Sequence, residues 1–123
     1  MCIRDSIVDD SKVMRMIVAR ALRQSGMGNN LELGEAEDGA EGLALAASFD
    51  PDLILSDWNM PEMNGVEFLK NLRSTGNGTR FGFITSETHP AIKAQALEAG
   101  ADFLITKPFS ADKFGEVVGG LVS

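Results

Sequence analysis

Cysteine and basic residues are scarce in this 123-residue chain. One cysteine, Cys2, makes neither an internal disulfide nor a thiolate metal site. Eleven Lys+Arg against 18 Asp+Glu leave a formal charge of −7, which repels phosphate backbones and anionic lipid, so no nucleic-acid partner is expected. No apolar run approaches the roughly 18 residues of a membrane span. No secretory pattern opens the chain either, and the expectation is a cytoplasmic protein without membrane contact. A phosphate loop of the Gly-x-x-x-x-Gly-Lys-Ser/Thr kind is missing. Gly26, Gly28 and Asn29 follow a helical pattern rather than a strand and so fail the dinucleotide context. What remains is a globular balance, 44% hydrophobic and 24% charged, at the length of one domain with one core.

The apolar pattern alternates between short runs and helical spacing, the mark of an α/β protein. Ile7-Val8 ends in Asp9-Asp10, and Ser11 caps a helix through Met14, Ile17, Val18, Ala21 and Leu22 that stops at Gly26. Residues 31–36 read as a second strand, followed at Asp38-Gly39 by an Ala-rich helix that runs to Asp50-Pro51. Leu53-Ile54-Leu55 is a continuous apolar run, as in a strand buried on both faces. Val66, Phe68, Leu69 and Leu72 trace a third helix, residues 81–85 a fourth strand, and Pro90 opens a fourth helix ending at Gly100. Residues 103–106 form the fifth strand, and Ser110 caps a last helix carrying Phe114, Val117, Val118 and Leu121. His89, the only histidine, reads as a surface residue beside Pro90.

Right-handed crossovers put helices on both faces of such a parallel sheet, with ligands beyond the strand C-termini where strand order reverses. At those ends stand Asp9 and Asp10 (strand 1), Asp57 (strand 3), Thr85-Ser86 (strand 4) and Lys107 (strand 5). A single aspartate there is ordinarily a cap or a turn residue. Three carboxylates converging between neighbouring strands repel one another unless a cation bridges them, and hard oxygen donors with room for water suit Mg²⁺. Thr85 adds a hydroxyl and Lys107 a positive charge, which with the metal neutralise a phosphoryl group on one carboxylate.

The segments Ile7-Val8-Asp9-Asp10-Ser11, Leu55-Ser56-Asp57-Trp58-Asn59-Met60-Pro61, Asn64-Gly65, Ile84-Thr85-Ser86-Glu87, Ala99-Gly100-Ala101-Asp102 and Lys107-Pro108-Phe109 stand in an order and spacing that resemble the response regulator receiver domain, in its stand-alone CheY-like type. The resemblance covers residues 7–123. It implies a flavodoxin-like (βα)5 three-layer sandwich with a five-stranded parallel sheet in the order 2-1-3-4-5. It further implies that Asp57 accepts a phosphoryl group from a histidine kinase or its phosphotransfer domain. Asp10, Asp57 and the Asn59 carbonyl would ligate Mg²⁺ directly and Asp9 through water, while Thr85 and Lys107 hold the phosphoryl oxygens. A cis peptide is implied at Lys107-Pro108, and Asn59 and Glu87 would flank the path of the water that attacks the acyl phosphate. Such a chain is a monomer that catalyses only its own phosphorylation and dephosphorylation and leaves the output to an unidentified partner protein.

Two departures from the family pattern stand out. Arg4, Asp5 and Ser6 interrupt what should be an apolar central strand. Residues 1–6 resemble translated sequencing-adapter sequence, a leader joined to the receiver proper at residue 7; otherwise strand 1 begins late, with Arg4 and Asp5 solvated. Leu104 stands where the family commonly has an inward-turning Tyr or Phe, and Phe103 next to it should face the other side of its strand. Two other readings compete. A pseudo-receiver that only binds partners would not need the complete acid, Thr and Lys positions. A small Mg²⁺-dependent phosphohydrolase would need an acid where Asn59 stands, and a cap domain for which 123 residues leave no room.

Overall fold

A computed structural model describes residues 3–24, 31–58, 60, 63–86 and 89–106. Five parallel strands, β1 (Ile3–Val8), β2 (Leu31–Ala36), β3 (Leu53–Asp57), β4 (Arg80–Thr85) and β5 (Phe103–Thr106), form one sheet in the order β2-β1-β3-β4-β5. Four helices, α1 (Lys12–Leu22), α2 (Gly39–Phe49), α3 (Gly65–Ser74) and α4 (Pro90–Ala99), connect them among the described residues. The expected fold class and strand order are therefore what the chain adopts. The expected fifth helix, with its Ser110 cap, lies outside the described residues, as do the Gly26 stop and the Lys107-Pro108 peptide.

Each described helix starts where a side chain relieves an orphan backbone N–H. Ser11 Oγ accepts from the Met14 N–H, Asp38 Oδ1 from Glu41 and Asn64 Oδ1 from Glu67. His89 does the same for α4, its Nδ1 accepting from the Ala91 N–H at 3.1 Å, with Pro90 in the first turn. The lone histidine is thus a surface residue with a capping task.

Burial follows from the alternation of side chains along each strand. Leu53 and Leu55 of β3 join Ile7 and the α1 residues Val18 and Leu22 on one face, while Ile54 joins Val8, Phe68, Leu72, Phe81 and Phe83 on the other. The apolar run in β3 is buried on both faces, as its composition predicts. Phe103 packs with the α1-side core and Leu104 with the opposite one, so the two point to opposite faces of β5. Gly82, paired in register with Phe103, leaves the space that the Phe103 ring covers.

Strand 1 begins at Ile3, with Asp5 in register between Leu33 and Leu53. The reading of a late start with solvated residues fits Arg4, which is exposed and pairs with Glu32 at 3.3 Å, but not Asp5. Asp5 and Ser6 are 0% exposed, and neither carboxylate oxygen of Asp5 nor the Ser6 hydroxyl has a hydrogen-bond partner. Burial, with the nearby Asp52 charge second, pushes the Asp5 pKa up to about 7.

Candidate functional site

The strand order reverses between β1 and β3, and both neighbours of that gap end in carboxylates. Asp57 is the last residue of β3, and Asp9 and Asp10 follow directly on β1. One carboxylate oxygen from each of Asp9, Asp10 and Asp57 lies within 4.8 Å of the others. Asp9 is buried, Asp57 half-buried and Asp10 exposed, so the cluster has a floor and an open mouth. At such separations two like charges repel by on the order of 3 kcal/mol in a protein surface environment, less where solvent screens Asp10. A hard divalent cation relieves that repulsion, and three oxygen donors with one side open to water fit Mg²⁺, which keeps several of its waters.

The turn carrying the acid pair is tied down from three directions. The Asp9 N–H donates to the Ala36 carbonyl at 3.0 Å, and Asp9 Oδ1 accepts from the Ser11 N–H at 2.9 Å. The Asp9 carbonyl accepts from Arg15 Nη1 at 2.6 Å. Arg15 is a residue that the motif reading passed over. Its signal was in the spacing: positions 15, 18, 19 and 22 form the buried stripe of α1, and an arginine on that stripe needs a polar partner inside.

Around Asp57, the Ser56 hydroxyl donates to the Asp57 carbonyl, the Trp58 N–H to Ile84 and the Gly65 N–H to Trp58. Trp58 is nearly buried, edge-on to Phe83 with ring centroids 4.9 Å apart. Gly65 is the second residue that sequence reading left without a task. A Cβ there would lie 2.5 Å from the Asp57 carbonyl oxygen and 2.6 Å from the Phe83 ring. Gly65→Ala must therefore move backbone or an aromatic core residue, and is expected to cost about 1–3 kcal/mol, on the scale of overpacking, read as a lower urea midpoint.

Thr85 ends β4 one residue beyond Ile84, the register partner of Asp57, and is buried. The structure thus brings together Asp9, Asp10 and Asp57 and sets Thr85 at the end of the next strand. Asn59, Glu87 and Lys107 lie outside the described residues.

No described helix is long and apolar enough to cross a membrane. Residues 6–118 match the model of the response regulator receiver domain. The chain is 38% identical over 107 residues to chemotaxis protein CheY-3 of Vibrio cholerae, covering 85% of this chain and 80% of that protein. It is 36% identical over 113 residues to response regulator MprA of Mycolicibacterium vanbaalenii, spanning 92% of this chain but 47% of that longer protein. The solved structure of Vibrio cholerae CheY4 superposes with a TM-score of 0.88 at 32% identity, covering 99% of this chain and 100% of that one. Sheet order, acidic cluster and both kinds of likeness agree: the chain belongs to the response regulator receiver family of two-component signalling.

Proposed function

We propose that the chain is a phosphorylation switch in which Asp57 accepts a phosphoryl group from a histidine kinase or its phosphotransfer domain. The observation that carries this reading is the convergence of Asp9, Asp10 and Asp57 at the strand-order reversal. Asp10, Asp57 and the Asn59 carbonyl would hold Mg²⁺ directly and Asp9 through water. The ion supplies positive charge that offsets the repulsion between a carboxylate and an incoming phosphoryl group. An Asp57 oxygen attacks phosphorus, an O–P bond forms, the P–N bond to the donor imidazole breaks, and the imidazole nitrogen keeps the electron pair. Thr85 and Lys107 hold the phosphoryl oxygens. Water later hydrolyses the acyl phosphate along a path flanked by Asn59 and Glu87, so the chain catalyses only its own phosphorylation and dephosphorylation. The chain acts as a cytoplasmic monomer, and the change it undergoes is read by a separate output protein.

The test is labelling by a small phosphodonor, acetyl phosphate. One alkali-labile phosphoryl group per chain is expected with Mg²⁺ and none with EDTA; equal labelling in both would contradict the reading. A second expectation concerns Trp58, adjacent to Asp57 in sequence. Millimolar Mg²⁺ should change its emission, and Asp10→Ala should remove that response, because one of the three oxygen donors is then gone. Unchanged emission across a full titration would count against a metal at the acid cluster.

We further propose that the receiver proper starts at residue 7 and that residues 1–6 are a joined leader. Backbone pairing is indifferent to side-chain type, so such a leader can complete β1 while its side chains violate the core. The orphan polar groups of Asp5 and Ser6 support this, and residues 1–5 lie outside the family match.

A further inference from the structure

We propose that Arg15 is the positioning residue of the acid pocket, setting its affinity for a divalent cation by fixing the peptide that joins Asp9 to Asp10. The proposal rests on the metal reading above.

The Asp9 carbonyl and the Asp10 N–H belong to one planar peptide unit. Whatever fixes that carbonyl also fixes the direction in which the Asp10 Cα leaves the turn, and hence the aim of its exposed carboxylate. Arg15 Nη1 takes the carbonyl at 2.6 Å. The same guanidinium is anchored on its far side by Glu35, Nε to Oε1 at 3.0 Å, with Glu37 Oε1 4.0 Å from Nη2. The Arg15 side chain is 9% exposed, whereas those of Glu35 and Glu37 are 52% and 68% exposed. A rigid, buried fork thus spans from the end of β2 to the turn after β1. Only a guanidinium can make both bonds in a fixed plane, since a lysine ammonium is a single point donor on a flexible stem.

Charge alone and positioning predict opposite signs. Removing a positive charge from beside a cation site should tighten cation binding if electrostatics dominates. Loss of the Arg15 donor frees the Asp9–Asp10 peptide, so the exposed Asp10 carboxylate swings out of the common site while Asp9 Oδ1 stays on the Ser11 N–H, and this loss of a ligand outweighs the charge effect. Binding should then weaken.

The experiment is an Mg²⁺ titration of Trp58 emission for the parent, Arg15→Met and Arg15→Lys, with circular dichroism and urea melts on each. Arg15→Met keeps the apolar stem and removes the fork. The expected result is a Kd for Mg²⁺ raised about 5- to 20-fold in Arg15→Met, with Arg15→Lys in between, while both proteins remain folded at the titration temperature. A structural role alone would lower the melt midpoint and leave the Kd of the folded protein where it was. An unchanged or tighter Kd in folded Arg15→Met would overturn the proposal. Should Arg15→Met fail to fold, Arg15→Lys decides the question: parental affinity overturns it and weakened affinity supports it. A parent that shows no Mg²⁺ response would instead sink the metal reading on which the proposal stands.

Discussion

Asp5→Leu is expected to stabilise the protein by about 2–4 kcal/mol at pH 7.5, seen as a higher urea midpoint. Asp and Leu side chains have the same number of heavy atoms and branch at the same carbon, so leucine methyls replace the two carboxylate oxygens with little change of shape. Those oxygens are buried without partners, between Leu33 and Leu53 in register, and leucine would make apolar contacts where the carboxyl makes none. The gain should depend on pH in a defined direction. Asp5 is pushed up to about 7 in the folded chain from an ordinary 3.8. Between those values the folded state holds a proton that the unfolded state has released, so stability falls as pH rises through that window. Above about 7 both states are ionised and the full penalty stands, whereas below 3.8 both are protonated and the contribution vanishes. The parent should therefore lose on the order of 4 kcal/mol from this group between pH 4 and pH 7, and Asp5→Leu should lack that component. Equal midpoints for the two proteins at pH 7.5 would mean that water reaches position 5, and the case for a joined leader would lose its physical support.

Asp57→Asn is expected to lower labelling by acetyl phosphate roughly 100-fold or more, because it removes the nucleophile itself rather than a group that orients it. In the proposed reading the neighbouring Asp9 and Asp10 serve the metal rather than attack phosphorus. Asp9 is buried with Oδ1 engaged by the Ser11 N–H, and Asp10 sits beyond the end of β1 on a mouth open to solvent. The amide is close in size to the carboxylate, so the fold and the Phe83–Trp58 contact should survive, which near-ultraviolet circular dichroism can confirm. Retention of labelling in a folded Asp57→Asn protein would move the chemistry to another residue.

The fold was legible because its signals are local and repeated. Ser11 before an apolar stripe marks a helix start, and Leu53-Ile54-Leu55 marks a strand covered on both sides; both stand in the structure. The convergence of Asp9, Asp10 and Asp57 was legible for a topological reason. Parallel strands put all their C-terminal residues on one edge, and a reversal of order opens a crevice there. Arg15 was harder to read, since its worth comes from a carbonyl and a glutamate that approach only after β2 and the β1 turn have packed. Gly65 stands in the Asn64-Gly65 segment of the family pattern, but its packing task was hidden for a similar reason, its space being taken by Phe83 and by the Asp57 backbone. Asp5 was legible as one of two alternatives, an acid buried in an interrupted apolar strand or one solvated at a late strand start, and only the pairing decides between them. A polar residue near a strand start is ordinarily solvated, yet pairing with β2 on one side and β3 on the other draws it inside.

The most direct test of the central claim is to trap the acyl phosphate chemically. The protein is labelled with acetyl phosphate and Mg²⁺, reduced with borohydride, digested, and read by mass spectrometry. Borohydride converts a phosphorylated aspartate to homoserine, so the account predicts homoserine at position 57 in the Mg²⁺-treated sample and aspartate there in the EDTA control. Homoserine at position 9 or 10 instead, or aspartate retained at all three positions after labelling, would contradict it.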